Sequence, residues 1–145
     1  MAINYEVRYD YHPEDVKSYG TERIRKEFLV ENLMNPGDIN MVYSMIDRYI
    51  VGGAVPEKNP LKLEAIDPLK ADYFLERREL GIINVGGAGT VTVDNETYKL
   101  NKTDALYIGK GKKDITFASE DKNNPAHFYL SSAPAHAEYP VKKVT

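Results

Sequence analysis

Nine short segments rich in β-branched and aromatic residues, each closed by turn chemistry, constrain this chain more than any other feature. They are EFLVENL, INMVYSMIDRYIVGG, DYFLE, LGIINV, GTVTV, ETYKL, DALYIG, DITFAS and AHFYLSS, between Glu27 and Ser132. Between them stand NPGD (35–38), GGAG (86–89), DNE (94–96), GKGKK (109–113) and DKNNP (121–125). Gly, Pro, Asn and Asp supply the backbone conformations that reverse a strand. Many short strands at regular turn spacing predict an all-β sandwich or barrel. Residues 26–134 are the expected core of one domain spanning 1–145, with 135–145 a tail or the start of a linker.

Ahead of that core the chain reads differently. NYEVRYDY is β-prone. HPEDVKSYG predicts a short helix, with Pro13 in its first turn, Glu14 and Asp15 against the positive end of the dipole, and Gly20 as the stop. TERIRKEF adds a helical turn with Thr21 as its cap. Val55 to Pro68, with three prolines and mixed charge, predicts an irregular loop.

Charge and composition exclude several function classes. A net charge of −3 and a pI near 5.6 offer nucleic acid no basic face. The absence of cysteine excludes disulfides, thiolate metal sites and a cysteine nucleophile, and fits a reducing compartment. MAINYEVRYD is no secretory signal, and no run reaches the roughly 18 apolar residues of a membrane helix. The expectation is a cytoplasmic protein without nucleic-acid or membrane partners.

Two motif readings fail on chemistry. VGGAGT lacks the third glycine of a dinucleotide loop and runs into the strand TVTV instead of a helix, so the expectation is a hairpin turn. The histidines, His12, His127 and His136, lie in unrelated segments and do not suggest the converging triad of a catalytic zinc.

Glu76-Arg77-Arg78-Glu79 is the most informative stretch. Strand side chains alternate between faces, so some of these four charges must point inward if the strand runs through them. The spacing from Glu79 to Gly86 resembles the end of the first cupin motif, G-x5-H-x-H-x3/4-E-x6-G. Counting back, the two metal-binding histidines fall on Tyr73 and Leu75. In the second cupin motif Asp104 and Gly111 match, Gly109 replaces the usual proline, and the histidine position falls on Asp114. All three histidines are replaced, and Glu79 with Asp114 does not complete a metal site.

An unbroken strand would put Tyr73, Leu75, Arg77 and Glu79 on the inner face and Phe74, Glu76 and Arg78 on the other. Arg77 would then stand where a metal cation would, bonded to Glu79 and Asp114. That neighbour would keep Glu79 ionised and make it a poor proton donor. Three readings stay open: a structural ion cluster, an acidic-sugar pocket using Tyr73, Arg77, Arg78, Glu79 and Asp114, or a bulge that turns these residues to solvent.

The chain also resembles the N-terminal half of the 5-keto-4-deoxyuronate isomerase family (4-deoxy-L-threo-5-hexosulose-uronate ketol-isomerases). The resemblance is carried by EFLVENL, MVYSMIDRYIVGG, YFLERRELGIINVGGAGTVTVD, DALYIGKG and PAHFYLSSAPAHAEYPVKKVT. It implies a degenerate cupin jelly roll, homohexameric assembly, and a keto-deoxyuronate substrate from pectin breakdown. It also implies a zinc held by three histidines and a glutamate in a second cupin half. No catalytic or metal residue is then expected in this chain, and an isolated half should expose apolar surface and self-associate. A stand-alone metal-free cupin that binds an acidic sugar is the alternative.

Overall fold

A computed structural model of the chain describes residues 3–145. Among the described residues eleven strands form two facing sheets, as the β-rich pattern predicts, accompanied by two short helices and one 3-10 turn. The strands are β1 (Asn4–Arg8), β2 (Ile39–Ser44), β3 (Ile50–Ala54), β4 (Leu61–Lys62), β5 (Arg78–Asn84) and β6 (Gly89–Val93). They continue as β7 (Glu96–Leu100), β8 (Ala105–Ile108), β9 (Ile115–Ser119), β10 (Phe128–Pro134) and β11 (Lys142–Val144). The larger sheet has the order β1-β2-β3-β10-β5-β8-β11, and the smaller one β4-β9-β6-β7. All pairings are antiparallel except β1 with β2.

Alternation builds the core. In β5 the inward set is Arg78, Leu80, Ile82 and Asn84; in β10 it is Phe128, Leu130 and Ser132. These face Val91 and Val93 of β6 and Ile115 and Phe117 of β9. Phe117 and Phe128 meet with ring centroids 5.4 Å apart. Each fully buried side chain of this size contributes roughly 1.5–3 kcal/mol.

The chain changes sheet at β3–β4, β4–β5, β5–β6, β7–β8, β8–β9 and β9–β10. The expected hairpin at GGAG is therefore corrected: those glycines carry the chain from one sheet to the other. Gly86 is needed there by close approach, since a Cβ would lie 2.6 Å from the His127 nitrogen and 2.8 Å from the Pro125 oxygen. The real tight hairpin is β6–β7, where Asp94 and Asn95 take φ of 44° and 75°, the left-handed pair a two-residue turn requires.

The first helix, α1 (Pro13–Val16), stops well before Gly20, and the His12 ring caps it by accepting from Glu14 N at 3.1 Å. The second, α2 (Thr21–Phe28), has Gly20 as its N-cap, so Thr21 is its first residue and not its cap. α2 also absorbs the start of EFLVENL, which forms no strand. The 55–68 loop holds only the two residues of β4 and the start of a 3-10 turn at Asp67–Leu69. Residues 142–144 pair with β8 and so belong to the larger sheet. Among the described residues no helix is long and apolar enough to cross a membrane.

Candidate functional site

DYFLE does not form a strand. Residues 72–77 make turns and bends, with Glu76 N bonded to Tyr73 O at 3.3 Å, and β5 begins only at Arg78. The reason is visible in burial: Phe74 and Leu75 are adjacent and both buried, at 2% and 0% exposed, which alternation forbids within one half-buried strand. The break resets the parity. Arg78 therefore points inward, while Arg77 is exposed and Glu79 lies on the outer face of the larger sheet.

The expected ion cluster of Arg77, Glu79 and Asp114 does not form. Arg77 donates to the Leu69 and Lys70 carbonyls at 2.6 and 2.8 Å and sits 3.4 Å from Glu76. Glu79 accepts instead from the Tyr107 hydroxyl at 2.7 Å, from the neighbouring strand β8. Burial, and then the Glu79 carboxylate, push the Tyr107 hydroxyl up to about 12. Asp114 is solvent-exposed and 3.2 Å from Lys62. Tyr73 and Asp114 share a shallow groove with Lys62 and Lys113, in which the Lys113 ammonium lies 5.8 Å from the Tyr73 ring.

Arg77 and Arg78 alone of the five expected residues reach one cavity. It holds about 360 Å³ at the end of the sandwich where β2 and β10 finish and β5 starts. Tyr43, Pro68, Leu69, Phe74 and Pro134 form mainly apolar walls, and Arg48 stands with Arg77 and Arg78 as its charged groups.

Arg78 is 4% exposed and is held by neutral acceptors. Its Nε donates to Ser132 Oγ at 2.8 Å, and its Nη2 donates to the Arg48 and Ser132 carbonyls at 2.6 and 3.1 Å. The Ser132 hydroxyl donates its own hydrogen bond to the Glu79 carbonyl at 2.6 Å, which fixes its acceptor side toward the guanidinium. The Tyr43 ring centroid lies 5.8 Å away. Among the described residues no carboxylate comes within ion-pair distance of Arg78. Burial accordingly lowers its proton affinity from the ordinary arginine value, partly offset by Tyr43.

A second buried polar centre went unseen in the sequence. Asn84 is 0% exposed; its amide donates to the Gly87 and Leu100 carbonyls at 2.7 and 2.9 Å. Its side-chain oxygen accepts from Gly86 N and His127 N at 3.1 and 3.2 Å. This asparagine ties together the sheet crossing and has no valence left for a ligand. The alternation of LGIINV, continued inward from Leu80, was the signal that pointed to it.

The residues present do not fit a catalytic zinc. Among the described residues no three His, Asp or Glu side chains converge to hold a metal ion. His12 caps α1, His127 Nδ1 lies 3.0 Å from the Pro125 carbonyl, and His136 is in an exposed bend.

Solved structures share this architecture. The cupin domain of Schizosaccharomyces pombe Cnp3 superposes with a TM-score of 0.53 at 11% identity, covering 72% of this chain and 70% of that one. The Escherichia coli protein Ylba gives 0.53 at 12% identity, covering 81% and 48%. Two facing sheets linked by chain crossings, shared with these solved structures, define a cupin-type domain. A sequence profile of the KduI/IolB family matches residues 28–145, and the chain belongs to that family.

Curated relatives agree over the whole length. The 4-deoxy-L-threo-5-hexosulose-uronate ketol-isomerase of Formosa agariphila is 60% identical over 145 residues, all of this chain and 52% of its own. The protein of the same name from Bacteroides fragilis is 57% identical over the same span, and that of Halalkalibacterium halodurans 61% over 137 residues. The chain spans about half the length of the curated relatives it matches.

Proposed function

We propose that this chain is the N-terminal domain of a ketol-isomerase acting on 4-deoxy-L-threo-5-hexosulose uronate in hexuronate breakdown. The observation that carries this reading is the 60% identity to a ketol-isomerase over every residue of the chain. The reaction exchanges a carbonyl and a hydroxyl between adjacent carbons, which requires a proton to be moved between them. Glu79, engaged by Tyr107 on the outer face of the sheet, is not placed to serve as an acid/base group for that step. Zinc and its ligands then belong to the remaining half of the longer relatives. The present domain serves as scaffold for that half and for a homohexamer in the cytoplasm. Ile83 and Val85, 44% and 47% exposed, are apolar surface in keeping with such packing.

The test compares the gene product of full relative length with the 145-residue chain, both supplied with the keto-uronate and followed by NMR of the two keto forms. Conversion by the longer protein, with stoichiometric zinc, and none by the shorter one is the expected result. Turnover by the 145-residue chain alone, or an inactive longer protein that is folded and zinc-loaded, overturns the reading.

A second reading is favoured by the Arg78 cavity: a metal-free domain that binds an acidic sugar on its own account. The two readings are compatible, since a scaffold domain can keep a binding site.

A further inference from the structure

Arg78 is a charge taken out of water without a counter-ion. Burying an uncompensated guanidinium is expensive, and three bonds to neutral oxygens recover only part of its hydration. Among the described residues the remaining amino group, Nη1, makes no hydrogen bond of normal geometry; the Tyr43 hydroxyl is the other polar side-chain group near the guanidinium, and Nη1 is not sealed from solvent. It is left to the cavity that Arg78 lines. Such a position suits an anion, whose charge restores what burial removes.

The frame around it is built. Asp47 and Arg48 take φ of 55° and 53°, two consecutive left-handed non-glycine residues in the β2–β3 turn. That conformation costs energy, and here it aims the Arg48 carbonyl at Arg78 Nη2. Ser132 is oriented by its bond to the Glu79 carbonyl, so the guanidinium is fixed on two sides before any ligand arrives. Pre-organisation of this kind lowers the cost of binding.

The cavity also discriminates. Its volume of about 360 Å³ is at the small end of ligand pockets. Arg78 is the one buried cation and matches one negative charge, while Arg77 is partly neutralised by Glu76 at 3.4 Å and Arg48 lines the cavity from an exposed turn. The walls of Phe74, Leu69, Pro68 and Pro134 suit the C–H face of a sugar ring. A carboxylate on a small ring pairs with Arg78 while its C–H face meets the apolar walls, and a compact dianion makes no use of those walls.

We propose that the Arg78 cavity is a carboxylate-binding site for a small sugar acid of the uronate class, separate from any metal centre. The carboxylate follows from the geometry alone, and the choice of a uronate rests on the isomerase reading.

Calorimetric titration of the 145-residue chain with galacturonate tests this, with galactose as the uncharged counterpart and inorganic phosphate as the competing anion. Arg78→Met removes the cation. Ala71 also lines the cavity, so Ala71→Trp fills it and leaves Arg78 in place, which decides the matter if Arg78→Met fails to fold by circular dichroism. Saturable galacturonate binding, weakened about tenfold or more by either folded variant and absent for galactose, is the expected result. No saturable binding to the folded chain, binding untouched by Ala71→Trp, or phosphate bound as tightly as galacturonate overturns the proposal. Isomerase activity is measured on the longer protein, so a failure of that reading and a failure of this site are told apart.

Discussion

Arg78 Nε on β5 donates at 2.8 Å to Ser132 Oγ on β10, and that hydroxyl donates onward at 2.6 Å to the Glu79 carbonyl. The pair meets diagonally across the β5–β10 pairing of the larger sheet, Arg78 standing opposite Pro134 and Ser132 opposite Leu80, with Ser132 only 2% exposed. One serine thus satisfies a buried cation and a strand carbonyl together. Ser132→Ala strands both partners. A loss of about 1–3 kcal/mol in unfolding free energy is expected, read from urea denaturation at pH 7. Stability within experimental error of the parent would show that water replaces the hydroxyl.

Asn84 is the more demanding position. Its side chain meets four backbone groups, two as donor and two as acceptor, with no exposure to water. Asn84→Ala leaves these groups unpaired at the crossing between sheets, and a cost of about 3 kcal/mol or more follows. Asn84→Asp should also destabilise, since an ionised carboxylate cannot donate to Gly87 and Leu100. Denaturant melts of the two variants against the parent check both expectations.

Tyr107 links stability to alkaline pH. Its hydroxyl, raised to about 12 by burial and by Glu79, keeps its proton in the folded chain after an unfolded tyrosine, near 10, has lost its own. Between these values the folded state binds more protons, so stability falls as pH rises. The contribution is complete below pH 10 and is lost on passing about 12. Tyr107→Phe should flatten this part of the pH–stability curve. In an ultraviolet titration Tyr107 should be among the last tyrosines to ionise, and a normal titration would refute the bond to Glu79.

Gly109 leaves room for the end of the chain. A Cβ there would collide with the Tyr139 carbonyl oxygen and lie 3.0 Å from both its carbonyl carbon and its nitrogen. Gly109→Ala should lift the segment around Tyr139 and loosen β11 from β8. Faster amide exchange at Lys142–Val144, with β5 and β10 still protected, is the expected signature. Unchanged exchange there would mean that the segment shifts without unpairing.

Much of this fold was legible because strand alternation and turn residues are local. LGIINV, GTVTV, DITFAS and AHFYLSS all became strands, and the Asp94-Asn95 turn is the left-handed pair that such residues tolerate. The candidate site was less legible, for one reason at DYFLE. Phe74 and Leu75 are both buried, so the chain turns there and the inward parity shifts by one residue. Counting through an assumed strand placed Arg77 and Glu79 inside and Arg78 outside, the reverse of what is found. The glycines at 86–89 misled similarly, because a turn within a sheet and a turn between sheets use the same residues.

By itself, the sequence determined the all-β architecture and the family. These depend on residue identity and spacing along the chain. Only the tertiary structure decided that Arg78 is the buried charge, that Asn84 closes the sheet crossing, and that residues 142–144 complete a sheet edge. Each of those depends on which atoms meet across distant strands, from Arg78 to Ser132 and from Asn84 to His127. Such meetings are set by register and by where a strand begins.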